Sequence, residues 1–339
     1  MNKKVTDITE EVQQENRRQL RREILAVVVV ATVMVAVSFL VQNSTIRDLY
    51  TGMWFSPSAE MEAMTEELEL TATGKRILKA TQPVLEAQES FNEHCDSHKS
   101  ELSLLGCYTE GKIYVYEITD ERLAASNKVT LAHELLHAAW ERMSAGEREK
   151  TRELLEEVKR ENEEWFRTEL VAYAEEVQME EVWTRAGTKL RDLPEELEKK
   201  YAKYFQNRLK IVEFYEEYQA PFRELQARNE ELRKVIFSMK DEIERERDAY
   251  LAKVSELDAK VAEFNECADE AGCFETDEEF EEGRAELEEM RAQLLAERER
   301  LNAKIDENNA RVEEYQANQM MLGELTDAMN SNASGAEKV

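Results

Sequence analysis

Residues 131–140 read LAHELLHAAW, and the pattern of this stretch is the strongest indication of the fold around it. Apolar side chains occupy seven of its ten positions, which predicts a helix buried on most of its surface. Three polar residues interrupt it: His133, Glu134 and His137. Imidazole and carboxylate groups inside a buried helix need partners, because burying them unpaired is costly. The stretch therefore predicts the centre of a folded domain that carries a polar site.

The spacing of the two histidines indicates a metal site. Residues i and i+4 lie on one face of a helix, so His133 and His137 can converge on one ion. Neutral imidazole suits Zn²⁺, and the intervening Glu134 is then expected to activate a zinc-bound water as general base and acid. This is the H-E-x-x-H arrangement of zinc metallopeptidases. The competing interpretation is a core helix whose histidines are only hydrogen-bonded.

A catalytic zinc needs a third protein ligand. Trp140 stands where the metzincin extension has glycine, and no histidine follows His137, so an acidic ligand is expected. Glu169 is the first choice, because apolar residues rather than a run of charges surround it in WFRTELVAYAEEV, residues 165–177. The alternatives are Glu157, Glu175 and Glu176.

The flanking segments predict a mainly α domain with a small β-sheet over residues 58–220. GKIYVYEIT, residues 111–119, is rich in β-branched and aromatic residues and predicts a strand. A second short strand is expected near 102–108. Ser144 and Glu147 form a capping-box pattern that begins the helix after the H-E-x-x-H stretch.

Four segments together resemble a known group of proteins. They are FNEHC (91–95), LGCYTEGKIYVYEITDERL (105–123), VTLAHELLHAAWERM (129–143) and LPEELEKKYAKYF (193–205). They resemble poorly characterised bacterial single-pass membrane-anchored proteins of the zincin metallopeptidase class, gluzincin type, over about residues 65–215. The resemblance implies a zincin-like α+β fold in which the free edge of residues 113–118 pairs with an extended peptide substrate. An oxyanion stabiliser is also expected, and the available candidates are Tyr173, Tyr201, Tyr204 and Arg208.

One segment near the N-terminus predicts a membrane anchor. Residues 24–41, ILAVVVVATVMVAVSFLV, carry no charge and extend about 27 Å as a helix. A cleaved signal peptide is the alternative, but a long charged region precedes the segment and no A-x-A-like site follows it. Basic residues in the stub 1–23 place the N-terminus in the cytoplasm and the later domains outside. Residues 42–57 are expected to be a linker, with MWF (53–55) at the membrane interface.

The four cysteines fit an extracytoplasmic location. They form two sequence-local pairs, Cys95 with Cys107 and Cys267 with Cys273, which predict two short-loop disulfides, with free thiols as the alternative. His94 and His98 flank Cys95 and Asp96, and a second metal site there is the less favoured interpretation.

The C-terminal third predicts a long antiparallel coiled-coil hairpin over residues 221–326. Apolar residues recur four and three apart in two arms of similar length, 222–266 and 277–326, each roughly 70 Å long as a helix. The second cysteine pair falls at the tip between them. A parallel dimer of the arms is the alternative, and residues 327–339 are expected to be a disordered tail.

Composition limits the classes of function. The chain carries 74 acidic and 45 basic side chains and a net charge of -29, which argues against a nucleic-acid partner. The combined prediction is a zinc peptidase anchored in the cell membrane, acting on peptides or proteins outside the cytoplasm. The alternative is a non-catalytic envelope scaffold that binds a protein partner through the hairpin. A zinc hydrolase acting on the cell wall remains a third hypothesis.

Overall fold

The computed structural model describes residues 18, 20–35, 38, 44–95, 105–171, 173–270 and 273–331. The chain divides into two compact units. Unit 1 comprises Met1–Tyr218 together with Ala328–Val339, and unit 2 comprises Gln219–Asp327. Both boundaries lie within two residues of the predicted limits of the hairpin.

Unit 1 is mainly helical, as predicted. Its helices are α1 (residues 20–35), α2 (Ser44–Gly52), α3 (Ala59–Glu67), α4 (Ala72–Ala80), α5 (Gln88–His94), α6 (Ala125–Glu141), α7 (Ala145–Glu161), α8 (Glu163–Glu169), α9 (Glu175–Lys189) and α10 (Glu195–Tyr201). Ser144 accepts from the backbone N–H of Glu147, and the Glu147 carboxylate accepts from the backbone N–H of Ser144, which confirms the capping box that begins α7.

A three-stranded sheet lies within these helices. Its strands are β1 (Val84–Glu86), β2 (Gly106–Thr109) and β3 (Lys112–Tyr116), in the order β1-β3-β2. Strand β3 pairs in parallel with β1 and antiparallel with β2, and the two-residue turn between β2 and β3 has positive φ at Glu110 and Gly111. Both predicted strands are present. The prediction that residues 113–118 form a free edge is wrong, because β3 has a neighbouring strand on each side. The edge strand nearest α6 is β2.

The H-E-x-x-H helix forms the centre of unit 1. Leu131, Leu135 and Leu136 on α6 are fully buried, as the apolar pattern predicts. Trp183 of α9 packs against this helix, and its indole N–H donates to the Leu136 carbonyl oxygen at 3.1 Å. The side chain of Cys107 points to the other face of the sheet, where it joins Cys95 beneath α5. The sheet is therefore held between α5 and α6.

The segment predicted to be a linker contains a docked helix. Helix α2 packs against α4, and its Asp48 is only 1% exposed. The Asp48 carboxylate accepts from Arg142 Nε at 2.9 Å, just beyond the C-terminal end of α6. The linker prediction for residues 42–57 is wrong over α2, because a buried ion pair and helix packing fix these residues.

Replacing Asp48 by Ala is expected to lower the free energy of unfolding of the chain by about 3–5 kcal/mol, because the Arg142 guanidinium loses its buried carboxylate partner. Urea denaturation followed by circular dichroism measures the change. Glu216→Ala is the matched control, since its ion pair with Arg191 is exposed and contributes little. Equal effects of the two substitutions would contradict a structural role for the buried pair.

Among the described residues, no helix combines the length and the apolar character needed to cross a bilayer. The predicted anchor at 24–41 is described only in part, because residues 36, 37 and 39–41 lie outside the described set. The predicted stub 1–23 is described only at residues 18 and 20–23. The anchor remains a prediction.

Unit 2 consists of two long helices that run antiparallel. They are the continuation of α11 (Leu209–Asp269) and α12 (Asp277–Ala328). Ion pairs of 2.7–2.9 Å join the two helices along their length: Arg228–Glu314, Lys253–Glu297 and Lys260–Glu286. In these three pairs the residue number increases along α11 while it decreases along α12, so the two helices run antiparallel, as predicted. A supercoil of the two helices remains a prediction.

The cysteine pairs lie as the spacing predicts. Cys95 bonds to Cys107 with Cα atoms 6.0 Å apart, and Cys267 bonds to Cys273 with Cα atoms 5.3 Å apart. The second pair joins the last turn of α11, at Cys267, to Cys273 in the segment before α12, beside the ring cluster Phe264, Phe274 and Phe280.

The beginning of the predicted tail is ordered against unit 1. Ser331 is fully buried, and its carbonyl oxygen accepts from Asn92 Nδ2 at 2.7 Å and Gln88 Nε2 at 3.0 Å. The disordered-tail prediction for 327–339 is therefore wrong for residues 327–331, because α12 extends to Ala328 and the next three residues are ordered. Residues 332–339 lie outside the described residues.

Candidate metal centre

Three side chains converge between helices α6 and α9. His133 and His137 come from α6, one turn apart, and Glu181 comes from α9. One ligand atom from each lies within 4.8 Å of the others. Within the described part of the chain, these three side chains form the group of histidines and carboxylates that could hold a metal ion.

The spacing of these atoms fits a tetrahedral zinc site. Zinc–ligand bonds of 2.0–2.1 Å at tetrahedral angles separate two ligand atoms by roughly 3.3 Å. His137 Nε2 lies 3.2 Å from His133 Nε2 and 3.3 Å from Glu181 Oε1. His133 Nε2 lies 3.8 Å from Glu181 Oε2. The two imidazoles and one carboxylate can therefore supply three ligands to one metal ion.

A second carboxylate orients the His137 ring. Glu180 Oε1 lies 2.8 Å from His137 Nδ1, so this nitrogen donates its hydrogen to Glu180. That contact fixes the tautomer and leaves the lone pair of Nε2 facing His133 and Glu181. Metal-binding histidines commonly use such a carboxylate to fix the ring and raise its basicity.

Arg185 holds the third carboxylate in place. Its Nη1 donates to Glu181 Oε2, its Nη2 donates to Tyr173 Oη at 2.9 Å, and its Nε donates to Glu169 Oε2 at 3.3 Å. Binding one oxygen of Glu181 to Arg185 leaves the other oxygen, Oε1, directed toward His137. The guanidinium thus connects Glu181 to Glu169.

The structure does not bring Glu169 into the ligand group. Its carboxylate accepts from Lys189 Nζ at 2.6 Å and from Arg185. Burial alone would raise the pKa of Glu169, but the two cations outweigh burial and its pKa is lowered. The acidic residue beside the histidines is Glu181, which the sequence analysis missed. The alternatives, Glu157, Glu175 and Glu176, are exposed.

Glu134 lies at the inner wall of a small cavity beside this group. It is only 5% exposed and packs against Gly106 of β2. A Cβ at Gly106 would lie 2.9 Å from Glu134 Oε1, so the close approach of strand and carboxylate requires glycine. The cavity of about 110 Å³ is lined among others by Gly106, Thr130, His133, Glu134, Arg185 and Lys189.

The protonation of His133 favours metal binding. Burial lowers the pKa of His133 well below its usual 6.5, and electrostatic repulsion from the neighbouring His137, Arg185 and Lys189 lowers it further. The imidazole is therefore neutral near pH 7, the form that binds a metal ion.

The same shift makes the stability of the metal-free chain depend on pH. Above pH 6.5, His133 is neutral in the folded and unfolded states. As the pH falls below 6.5, the unfolded state takes up a proton that the folded state refuses, so the free energy of unfolding decreases. Urea denaturation with a chelator at pH 7.5 and pH 5.5 should show this loss. In His133→Gln the decrease in the free energy of unfolding between pH 7.5 and pH 5.5 should be smaller. An equal decrease in that variant would show that His133 does not cause it.

One of the four candidate oxyanion stabilisers lines the cavity. Tyr173 does so, with its hydroxyl bound by Arg185. Tyr201 is fully buried and donates to the Trp183 carbonyl at 2.7 Å. Arg208 is held by Glu198 and by backbone carbonyls, and burial raises the pKa of Tyr204 to about 12. The cavity therefore favours Tyr173.

The second histidine pair is described only in part. His94 Nδ1 lies 2.9 Å from Glu86 Oε2, and its ring stacks on Tyr114 at 4.3 Å. His98 lies outside the described residues. Cys95 is engaged in its disulfide, which removes it as a thiolate ligand for a metal at this place.

No protein-family model, no curated protein and no solved structure matches this chain. The case for its function therefore depends on the site itself.

Proposed function

We propose that the chain is a zinc-dependent peptidase. The observation that carries this proposal is the convergence of His133, His137 and Glu181, with Glu134 buried beside them on the same helix as the two histidines. Two imidazoles and one carboxylate are the ligand set of one class of catalytic zinc sites, which leave a further position open. A purely structural zinc site needs no buried carboxylate beside its ligands.

Glu134 is the proposed proton carrier. Zinc, when bound, acts as a Lewis acid and makes water a nucleophile at neutral pH. The Glu134 carboxylate accepts a proton from the attacking water and delivers it to the leaving amine. Its place on the wall of the cavity, against the backbone of β2, puts this carboxylate next to the path of a substrate lying on that strand.

Strand β2 offers backbone groups to an extended peptide. The Tyr116 N–H donates to the Leu105 carbonyl at 2.8 Å, so alternate residues Leu105, Cys107 and Thr109 face β3. The N–H and C=O groups of Gly106 and Tyr108 therefore point to the outer edge. A peptide added at this edge passes beside Glu134, which supports a peptide substrate.

Tyr108→Pro tests this edge. Proline removes the outward N–H but spares the hydrogen bonds to β3. Relative to Tyr108→Ala, which also loses the side chain, Tyr108→Pro is expected to raise KM by about 2–12-fold, the value of one hydrogen bond. Steady-state kinetics on a peptide compares the two variants. Equal KM values would show that a substrate does not use this N–H.

The location outside the cytoplasm is part of the proposal. Two disulfides suit an oxidising compartment, and the N-terminal basic residues favour a cytoplasmic N-terminus beside the predicted anchor at 24–41. A protease added to intact cells should then degrade unit 2, and its survival would contradict this orientation.

A second candidate function is an interaction scaffold built on unit 2. Phe237 and Leu251 are 60% and 52% exposed and stand two heptads apart on one face of α11. Exposed apolar side chains at this spacing fit a partner helix. The buried Glu134 beside the ligand group favours the peptidase, and partner binding by unit 2 is compatible with it.

The deciding experiment measures zinc and activity on the full chain purified in detergent. We expect one zinc per chain, peptide hydrolysis that a chelator abolishes, and recovery when zinc is returned. A protein that contains no zinc and takes none up would overturn the proposal. A zinc-loaded protein that cleaves cell-wall fragments but not peptides would assign the same centre to a cell-wall hydrolase.

A further inference from the structure

The outward side of helix α2 and the turn after it carry an exposed apolar stripe. Its members, which we call the α2 stripe, are Ile46, Leu49, Tyr50, Met53 and Trp54. Ile46, Leu49 and Tyr50 recur at i, i+3 and i+4, the spacing of one helix face, and Met53 and Trp54 follow in the turn after α2. Exposure reaches 71% at Tyr50 and 83% at Trp54. A contiguous exposed patch of this kind marks a surface that meets a partner or a membrane.

The opposite side of α2 is fixed to unit 1. Asp48 is paired with Arg142, and a Cβ at Gly52 would lie 3.2 Å from Lys79 Cγ. Gln82 Nε2 also donates to the Thr51 carbonyl at 3.2 Å. Because Arg142 follows directly on α6, these contacts fix the α2 stripe relative to the helix that carries His133 and His137.

The composition of the stripe points to lipid. Tryptophan and tyrosine are the residues enriched where a bilayer meets water, and a short helix with an apolar face can lie in that plane. The exposed apolar residues 24–35 of α1 precede α2 by only eight residues. The five members of the stripe carry no charge, so their contact with a bilayer is apolar and can be measured on an uncharged phosphatidylcholine surface.

We propose that the α2 stripe lies in the interface of a lipid bilayer and holds unit 1 in a fixed orientation on it. The candidate metal centre then stands at the membrane surface rather than at the end of a free tether. Proteins or peptides emerging from the same membrane are the substrates that this placement favours, a consequence that rests on the proposed peptidase function. The docking itself requires neither hydrolytic activity nor bound zinc.

Tryptophan quenching by brominated lipid tests the contact on the full chain. The chain is reconstituted into phosphatidylcholine vesicles with or without bromine on the acyl chains. Trp140 and Trp183 are buried in the core of unit 1, whereas Trp54 projects outward. We expect bromine to quench the wild type, and Trp54→Phe to reduce this quenching by about threefold or more. Trp165→Phe is the matched control and should leave it unchanged, because Trp165 packs against the core.

A second variant tests the α2 stripe while Trp54 remains as the fluorescent probe. Leu49→Glu places a charge on the apolar face and should lift Trp54 out of the lipid, so quenching should fall as it does in Trp54→Phe. Val171→Glu is the matched control, because Val171 is 79% exposed elsewhere on unit 1. Quenching that is equal in wild type and Trp54→Phe would overturn the proposal. A second result would also overturn it: light scattering that shows a dimer of the wild type and a monomer of Leu49→Glu. The stripe would then be the contact between two copies of the chain.

Discussion

Replacing Glu134 by Gln is expected to lower the rate of peptide hydrolysis by about 10²–10⁴-fold while the zinc content stays at one per chain. The carboxylate is not in the ligand group, so the amide should leave zinc affinity unchanged. Gln has the same shape as Glu, and the close contact with Gly106 is therefore retained. What the variant loses is the ability to accept a proton and return it.

The measurement pairs steady-state hydrolysis of a peptide with zinc quantification on the same sample. Glu149→Gln is the control, because it makes the same chemical change at an exposed position on α7. Full activity of a zinc-loaded Glu134→Gln protein would show that another group carries the proton. Loss of zinc together with activity would instead place Glu134 among the ligands.

Glu181→Gln is expected to weaken zinc binding by more than about 100-fold, whereas Glu169→Gln should weaken it by about 10–100-fold at most. Glu181 Oε1 lies 3.3 Å from His137 Nε2, in the position of a ligand. Glu169 reaches the centre only through Arg185, so its effect is that of a residue positioning a ligand. Competition with a coloured zinc chelator measures both affinities.

This pair of variants controls for the shared loss of a contact with Arg185. Each replaces one carboxylate by an amide and each breaks one ion pair of the same guanidinium. Thermal unfolding of the zinc-free proteins checks that both remain folded. If zinc is instead lost in Glu169→Gln and kept in Glu181→Gln, then Glu169 is the third ligand, as the sequence predicted.

Local patterns predicted much of this molecule. The buried helix around His133 and His137, the antiparallel helices of unit 2 and both cysteine pairs follow from periodicity and spacing within short segments. The helices follow from the repeat of apolar residues along one segment, and the antiparallel arrangement follows from two arms of similar length on either side of the second cysteine pair. The mainly helical architecture follows for the same reason.

The third acidic residue depends on contacts that the sequence does not display. The apolar setting of Glu169 suggested a metal ligand, but its carboxylate is partly exposed and is paired with two cations, Arg185 and Lys189. Glu181 begins the segment EVWTRAG, whose residues 181–187 are all buried, and a Glu at the start of such a run was the available signal. Choosing between Glu169 and Glu181 requires the packing of α9 on α6.

The errors at the sheet and at α2 have similar causes. Strand order depends on pairing between distant segments, so the sequence of β3 does not show that β1 will cover its second edge. Helix α2 is short and contains Ser, Thr and Gly, which resembles a linker. Its order depends on the pairing of Asp48 with Arg142, two residues 94 positions apart.

The chain enters unit 2 after Tyr218 and re-enters unit 1 at Ala328, where Ser331 is buried beneath α5. The hairpin is therefore an insertion in unit 1 and not a terminal extension. An insertion whose two ends are both built into its host can be lengthened, shortened or exchanged while the host keeps its core. A short loop that joins Tyr218 to Ala328 is therefore the natural starting point for producing unit 1 without unit 2.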